Sequence, residues 1–327
     1  YLLKYGGLNE IVSFWGNVFK GVGVNSIVIT CNKLCHSDSI SIIQDISDKP
    51  DSVTLSKSTL LKIKTPIIEF LKDENFIIRI NANNKQDEIL SKIDNDTTPL
   101  SNFCFYTLGM QVYHNSLHSK KDIENRIYHS FTPKDKTYFP ESGGKNIKRY
   151  EFLENFKEYV AYGNWVYNKP DWKYCTAPRI LIREIPSERN LICCYTDTSH
   201  IPNKATIIVI ADKADPYFIL SILNSRLIGY YVHAKTEKGK QRLFPRISLT
   251  SVRNLPIPTH VKKVLHDNLV SLVTQMLNAK KQLAAALTDS DKNFYQNQCN
   301  SLDRQIDKLV YELYGLTDDE IKIVEGV

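Results

Sequence analysis

The residues best suited to hold a ligand are the cations of one short segment, residues 235–246, which reads KTEKGKQRLFPR. Five of its twelve side chains are Lys or Arg, and one is acidic. A second cationic stretch, GGKNIKRY at residues 143–150, places three cations and an aromatic ring beside a glycine pair. Ammonium and guanidinium groups bind anions such as phosphate, and Arg can also donate two hydrogen bonds to the edge of a guanine. Both stretches therefore predict contacts with a polyanion.

The charge distribution points the same way, because the net charge of +6 comes from one part of the chain. Residues 120–258 carry 23 basic and 14 acidic side chains, whereas residues 1–119 carry 11 and 12, and residues 259–327 carry 8 and 10. A surface that binds nucleic acid concentrates cations in this way, since each neutralised phosphate releases condensed counterions. Nucleic acid is the favoured partner, and an acidic protein or a membrane surface is the alternative.

Motifs of common enzyme classes are missing from the sequence. It contains no G-x-S-x-G elbow, no G-x-x-x-x-G-K-[ST] phosphate loop and no H-E-x-x-H helix. The seven cysteines include no C-x-x-C pair, so no metal site is predicted, and their scatter is typical of reduced thiols in a cytoplasmic protein. No apolar run reaches the roughly 20 residues that a membrane helix needs, so no contact with a membrane interior is expected.

Hydrophobic patterns predict an α+β protein in three parts. Residues 1–57 contain two strands, 11–14 and 24–31, the second apolar enough to be buried on both faces, followed by a linker from residue 38. Residues 58–258 mix helices and strands, and residues 259–327 form an antiparallel helical hairpin. Within the middle part the pattern predicts helices at 85–93, 122–128, 152–159 and 216–232, the last capped by Asp215, and strands at 179–185, 191–195 and 206–211.

Several stretches together resemble a known family. SFWGNVFKGVGVNSIVITCNK near the start resembles a late motif of adenine-specific amino-methyltransferases of DNA, where a Val-Phe pair precedes a strand. GKNIKRY, PRILIREI, ILNSRLIGYYV, FPRISLTSVRNLPIP and LVYELYGLTDDEI resemble, in order, the TaqI-like C-terminal specificity domain of such methyltransferases and of fused type II restriction-modification enzymes. The first part then corresponds to the end of a Rossmann-like methyltransferase domain, and the middle part to a target recognition domain.

The resemblance implies sequence-specific recognition of duplex DNA beside an upstream methyltransferase domain of the same chain. Phe19 matches the position that stacks on the extruded adenine, whereas the glycine-rich S-adenosylmethionine motif and the N-P-P-[YF] motif are missing. The parent is thus expected to be a methyltransferase or type II restriction enzyme that uses S-adenosylmethionine, and this part is expected to be inactive alone and to need no cofactor. The predicted DNA contacts are Lys145, Lys148, Arg149, Tyr150, Arg179, Arg183, Lys235, Lys238, Lys240, Gln241, Arg242 and Arg246.

A different class of function stays open at this point. The hairpin could be a docking surface, with the basic loop contacting an acidic protein, and the hairpin could also self-associate. Which cations read bases rather than phosphates, which DNA sequence is recognised and whether the parent cleaves DNA are left open by the sequence.

Overall fold

The computed structural model describes residues 7–14, 26–32, 38–45, 60–71, 84–235 and 246–326. By its internal contacts the chain divides into two units, Tyr1–Asp87 and Glu88–Val327. The fold is α+β, as the sequence predicts. Among the described residues, no helix combines the length and the apolar character that a membrane crossing requires.

The first unit contains a four-stranded sheet. Its strands lie in the order β2-β1-β3-β4, with β1 and β3 parallel and the other two pairs antiparallel. One face of the sheet packs around Leu8, Ile11, Ile40, Ile42 and Phe70. The elements are β1 (Leu8–Phe14), β2 (Ser26–Cys31), β3 (Ser39–Asp45), β4 (Leu60–Pro66) and α1 (Ile67–Leu71).

Two predictions for this unit are wrong. The strand at β2 was expected to be buried on both faces, but it lies at the sheet edge, and Ile27, Val28 and Ile29 are 51%, 50% and 44% exposed. The linker expected from residue 38 contains β3, which pairs with β1 and β4. Because β4 pairs with β3 along its whole length, residues 60–66 continue this sheet, and the unit extends to Asp87.

The second unit is built on an antiparallel sheet in the order β13-β12-β15-β6. Ile180 and Ile182 of β12 face the main core, whereas Leu181 faces a smaller cluster on the other side. Burial on both faces explains the unbroken apolar run of this strand. The sheet consists of β6 (Cys104–Leu108), β12 (Arg179–Arg183), β13 (Cys193–Thr196) and β15 (Thr206–Ala211).

A second sheet and two short ribbons complete the strands of this unit. The second sheet has the order β14-β8-β11-β7 and packs around Met110, Val160 and Ile201. The ribbons pair β9 with β10 and β16 with β5. The strands are β5 (Thr97–Pro99), β7 (His129–Ser130), β8 (Tyr138–Ser142), β9 (Ile147–Lys148), β10 (Glu151–Phe152), β11 (Tyr159–Ala161), β14 (Ile201–Pro202) and β16 (Pro256–Pro258).

Most predicted helices are present, with two differences. The helix predicted at 216–232 is capped by Asp215, whose side chain accepts the N–H groups of Tyr217 and Phe218, but it breaks at Ser225 into two helices. Residues 152–159 have helical spacing of aromatics, yet they run as extended chain between β10 and β11. The helices before the hairpin are α2 (Asn84–Asp94), α3 (Lys120–Glu124), α4 (Lys173–Thr176), α5 (Pro216–Asn224), α6 (Arg226–Lys235) and α7 (Leu249–Arg253).

The C-terminal helical pair forms as predicted. Helices α8 (Lys263–Ala285) and α9 (Asp289–Leu313) pack on each other, and α10 (Asp318–Glu325) follows. Thr317 and Glu320 form a capping box at the start of α10, and Gly315 follows α9 with a positive φ of 67°. Leu269, Met276, Leu302 and Ile306 of the hairpin belong to the same buried cluster as α5 and α6, so the hairpin shares the core of the second unit.

Candidate functional site

A turn after β8 organises the candidate site. The glycine pair of GGKNIKRY follows Ser142 directly and leads into one 3-10 turn, Gly144–Asn146. The Asn146 side chain accepts the N–H of Gly143 (3.0 Å) and donates to the carbonyl of Leu153 (2.8 Å). These bonds fix the turn against the extended segment that follows β10.

This turn forms one wall of an open cleft with a volume of about 450 Å³. The other walls come from the extended segment before β11 and from the loop after β14. The cleft is lined by Glu141, Ser142, Gly143, Gly144, Lys145, Asn146, Asn155, Lys157, Glu158 and Asn203.

The two glycines allow their neighbours to approach closely. A Cβ at Gly143 would lie 2.8 Å from Nδ2 of Asn203, and a Cβ at Gly144 would lie 3.4 Å from Cγ of Arg183. The first distance is shorter than real Cβ contacts, so a side chain at residue 143 would displace Asn203. Arg183, at the end of β12, thus lies beside the cleft turn.

Both carboxylates of the cleft are held by neighbouring cations or donors. Arg126 forms a two-point ion pair with Glu158 (2.8 and 2.6 Å), and this pairing lowers the pKa of the Glu158 carboxyl. Oε2 of Glu141 lies 3.3 Å from Nε2 of His129, whose Nδ1 lies 2.9 Å from the hydroxyl of Tyr113. The negative charge at this end of the cleft is therefore already partnered.

Three of these side chains, those of His129, Glu141 and Glu158, form the group that could hold a metal ion among the described residues. One ligand atom each of His129, Glu141 and Glu158 lies within 4.8 Å of the others. Histidine nitrogen and carboxylate oxygen suit zinc or manganese. The sequence predicts no metal site because these residues are far apart along the chain and match no spaced motif.

The structure brings some predicted contact residues together at this turn. Lys145 lines the cleft and is exposed, Lys148 is exposed on β9, and Arg183 is half-buried beside Gly144. Within the described chain no hydrogen bond or ion pair engages the side-chain nitrogens of these three residues. They are therefore available to an anion from outside.

Three other predicted contact residues point inward. The guanidinium of Arg149 donates to both carboxylate oxygens of Asp303 on α9 (2.8 and 2.7 Å) and to the carbonyl of Asn224 (2.7 Å). Tyr150 is 2% exposed with a φ of 62°, and Arg179 is 1% exposed. The hydrogen bonds of Arg149 and Arg179 connect parts of the fold, and the burial of Tyr150 and Arg179 leaves no surface of either residue for DNA in this conformation.

Backbone carbonyl groups take the place of water around the buried guanidinium of Arg179. Its nitrogens donate to the carbonyls of Ala177 (2.8 Å) and Thr198 (2.9 Å), and the His200 ring lies beside them. Burial lowers the pKa of Arg179 to about 10. Burial, together with the charge of Arg179, lowers the pKa of His200 to about 3, so that this imidazole is neutral.

The remaining predicted residues flank or lie in the basic loop. Lys235 ends α6 and bonds to the carboxylate of Asp94, and Arg246 pairs at 3.6 Å with Glu184 while 61% of its side chain is exposed. Lys238, Lys240, Gln241, Arg242 and Phe19 lie outside the residues that the structure describes.

Sequence reasoning missed part of the cleft lining. Lys157 and Asn155 lie in the segment predicted as a helix, and Asn203 lies in the short loop between β14 and β15. The Lys157 signal was present, because the cation follows the aromatic Phe156 in the middle of the basic part of the chain. Only the folded chain brings these three residues next to the glycine pair.

Comparison with known families locates this cleft within a named domain. Residues 140–257 match the TaqI-like C-terminal specificity domain, which confirms the resemblance seen in the sequence. The chain is also 24% identical over 314 residues to a putative type II restriction enzyme and methyltransferase of Methanocaldococcus jannaschii. That alignment covers 94% of this chain and 25% of the relative.

A solved structure with the same fold is that of the type IIL restriction-modification enzyme MmeI in complex with DNA. The TM-score is 0.55 at 16% identity, over 97% of this chain and 44% of the MmeI chain. The chain thus spans about a quarter of its curated relative and less than half of this structural relative. The similarity to MmeI extends over both units, whereas the family match covers the middle of the chain.

Proposed function

We propose, from the TaqI-like specificity domain at residues 140–257, that this chain recognises a specific sequence in duplex DNA for a restriction-modification enzyme. The family match carries the proposal, because it begins within β8 and includes the whole lining of the cleft. The excess of cations in residues 120–258 supports it, since this excess supplies the charge that nucleic acid requires.

The proposed contacts divide into two kinds. Cations position the backbone of the duplex, and side chains that reach a groove read base edges. Gln241 and Arg246 are the proposed base readers. The proposed phosphate contacts are Lys145, Lys148, Arg183, Lys235, Lys238, Lys240 and Arg242.

The methyl transfer of the parent enzyme is assigned to a domain outside these 327 residues. We propose that an upstream adenine-specific methyltransferase domain of the parent polypeptide binds S-adenosylmethionine. We also propose that Phe19 of this chain stacks on the extruded adenine. This chain lacks the glycine-rich and N-P-P-[YF] motifs, so no step that involves the cofactor is assigned to its residues. The proposed site of action is the cytoplasm, and the chain alone is expected to be inactive.

A binding titration of the whole chain tests this proposal. A labelled duplex of random sequence is titrated at salt concentrations between about 50 and 200 mM, where phosphate contacts give a slope of about −0.9 per contact in log K against log salt. Selection from a random duplex library then tests for sequence preference. Binding without salt dependence, or selection that enriches no sequence, would contradict the proposal.

One observation favours a second candidate, in which the hairpin tip docks another protein or a second copy of this chain. Leu287, in the connection between α8 and α9, is 91% exposed, and Phe294 is 64% exposed. Large exposed apolar side chains at one tip form a small surface to which another protein can bind. Gel filtration of a Leu287→Ser/Phe294→Ser variant tests this candidate, because loss of a larger species present in the wild type would support it.

A further inference from the structure

We propose that the cleft beside Gly143 binds one phosphate group of the DNA backbone. We further propose that Arg126, which does not line the cleft, is a positioning residue that keeps Glu158 from repelling this phosphate. The inference rests on the proposed function and names the chemistry of one part of the contact surface.

The first observation is a set of unused donors around the cleft. The ammonium groups of Lys145 and Lys157 have no hydrogen bond or ion pair within the described chain. Asn155 and Asn203 use their side-chain oxygens, as acceptors from Asn146 Nδ2 (3.2 Å) and from the Ala205 N–H (3.1 Å), so both of their amide NH₂ groups are left unbonded by described residues.

A buried hydroxyl adds an independent sign of a missing partner. Ser142 lines the cleft, is 1% exposed, and its Oγ has no hydrogen-bond partner among the described residues. A buried hydroxyl without a partner costs free energy, so such a group calls for a ligand or an ordered water.

The acceptors of the cleft, in contrast, are occupied. Glu158 receives both hydrogen bonds of the Arg126 guanidinium, and Glu141 is within hydrogen-bond distance of His129. Each base pair presents a donor in the major groove, from the amino group of cytosine or adenine, whereas a phosphodiester presents acceptors and negative charge alone. Two ammonium groups and two amide groups therefore fit a phosphate better than a base pair.

The geometry makes Arg126 important for the strength of the local positive field. Without its guanidinium, a bare carboxylate at Glu158 would face the same space as Lys157 and would offset one of the two charges of the cleft lysines. The pairing depends on side chains from separate segments, since Arg126 precedes β7 and Glu158 precedes β11. Arg126 thereby acts on the ligand through Glu158 and not by contact.

Titration of the full chain against a random-sequence duplex tests both parts. Lys157→Ala should weaken binding about three- to tenfold and reduce the salt slope by about one unit, as expected for one lost phosphate contact. Lys281→Ala, at an exposed lysine on α8 far along the chain, is the matched control and should change neither quantity.

A pair of double variants isolates the role of Arg126. Arg126→Gln should weaken binding to a similar degree, and Arg126→Gln/Glu158→Gln should restore it. Arg126→Gln/Glu188→Gln has the same net charge but leaves Glu158 unpaired, so it should not restore binding. Equal recovery in both double variants would reduce the effect to net charge and overturn the role of Arg126.

The outcomes separate this inference from the proposed function. If the wild type binds duplex with salt dependence while Lys157→Ala and Arg126→Gln bind equally well, the cleft assignment is wrong and the proposed function stands. If the wild type binds no duplex, both are wrong. If inorganic phosphate raises the thermal stability of the wild type but not of Lys157→Ala, while the two proteins bind duplex equally, free phosphate is the ligand of the cleft and the assignment to DNA is overturned.

Discussion

A buried acid on the hairpin gives a strong prediction for stability. Asp307 of α9 is 4% exposed, its Oδ1 accepts the N–H of Arg226 (2.9 Å), and its Oδ2 lies 3.8 Å from Nε of the same residue. Burial raises the pKa of this carboxyl from 3.8 to about 7, although the Arg226 N–H opposes the shift. We expect the Asp307→Asn variant to lose the pH dependence that this group gives the wild type.

The sign follows from proton uptake. Because the folded chain holds the proton more tightly than the unfolded chain, the stabilisation is fully present below about pH 4 and is lost as the pH rises towards about 7. A shift of about three pKa units corresponds to about 4 kcal/mol at about 1.4 kcal/mol per unit. The unfolding free energy of Asp307→Asn, minus that of the wild type, should thus rise by about this amount between about pH 4 and pH 8.

Urea unfolding of both proteins across this pH range measures the difference. Asn at residue 307 retains an oxygen that can accept the Arg226 N–H, so the substitution mainly removes the charge. The exposed Asp289→Asn on the same helix controls for the loss of one acidic side chain. A difference that stays constant within about 1 kcal/mol from low to high pH would refute the reasoning, because it would mean that Asp307 ionises in the folded chain as it does in the unfolded chain.

Three further outcomes are expected elsewhere. His200→Gln should lose less stability than the wild type between about pH 6 and pH 4, because the buried neutral imidazole of the wild type must accept a proton on unfolding; acid unfolding followed by circular dichroism measures this. Gly229→Ala should destabilise the chain by about 2 kcal/mol despite the better helix propensity of Ala, since its Cβ would lie 2.0 Å from the carbonyl oxygen of Arg189; thermal unfolding that shows a gain would contradict this. Lys240→Ala should weaken binding to all duplex sequences alike and reduce the salt slope by about one unit.

Local signals in the sequence predict the ends of elements well. Asp215 and Thr317 cap helices through side-chain bonds to N–H groups within the next three residues, and nothing distant is needed to recognise them. The break at Ser225 is different. It follows Asn224, whose side chain bonds to the N–H and the carbonyl of Cys193 on β13 (both 3.0 Å), so its cause lies on a strand distant in sequence.

Tertiary contacts also explain what the sequence did not predict about the site. The aromatic spacing of residues 152–159 suits a helix, but the N–H of Leu153 bonds instead to the carbonyl of Asn146 (2.8 Å) and keeps the segment extended. The cleft lining needs this extended segment, the glycine turn and the loop at Asn203 to meet. The sequence shows which residues are cations, but not whether their side chains point to solvent or to the core. Lys145 and Arg179 therefore look alike in the sequence, although Lys145 lines the open cleft and Arg179 is buried.

The shared core of the hairpin and the preceding strands limits how this protein can be recombined. Arg149 bonds to Asp303, the hydroxyl of Tyr314 donates to the carbonyl of Pro256, and Lys92 pairs with Glu320, so each junction joins the hairpin region to a different earlier element. A chimaera that exchanged residues 58–258 alone would lose these hydrogen bonds and ion pairs, and it would disturb the apolar packing between the hairpin and the rest of the second unit. A recombined chain keeps these contacts only when the whole block from residue 88 onward is exchanged, hairpin included.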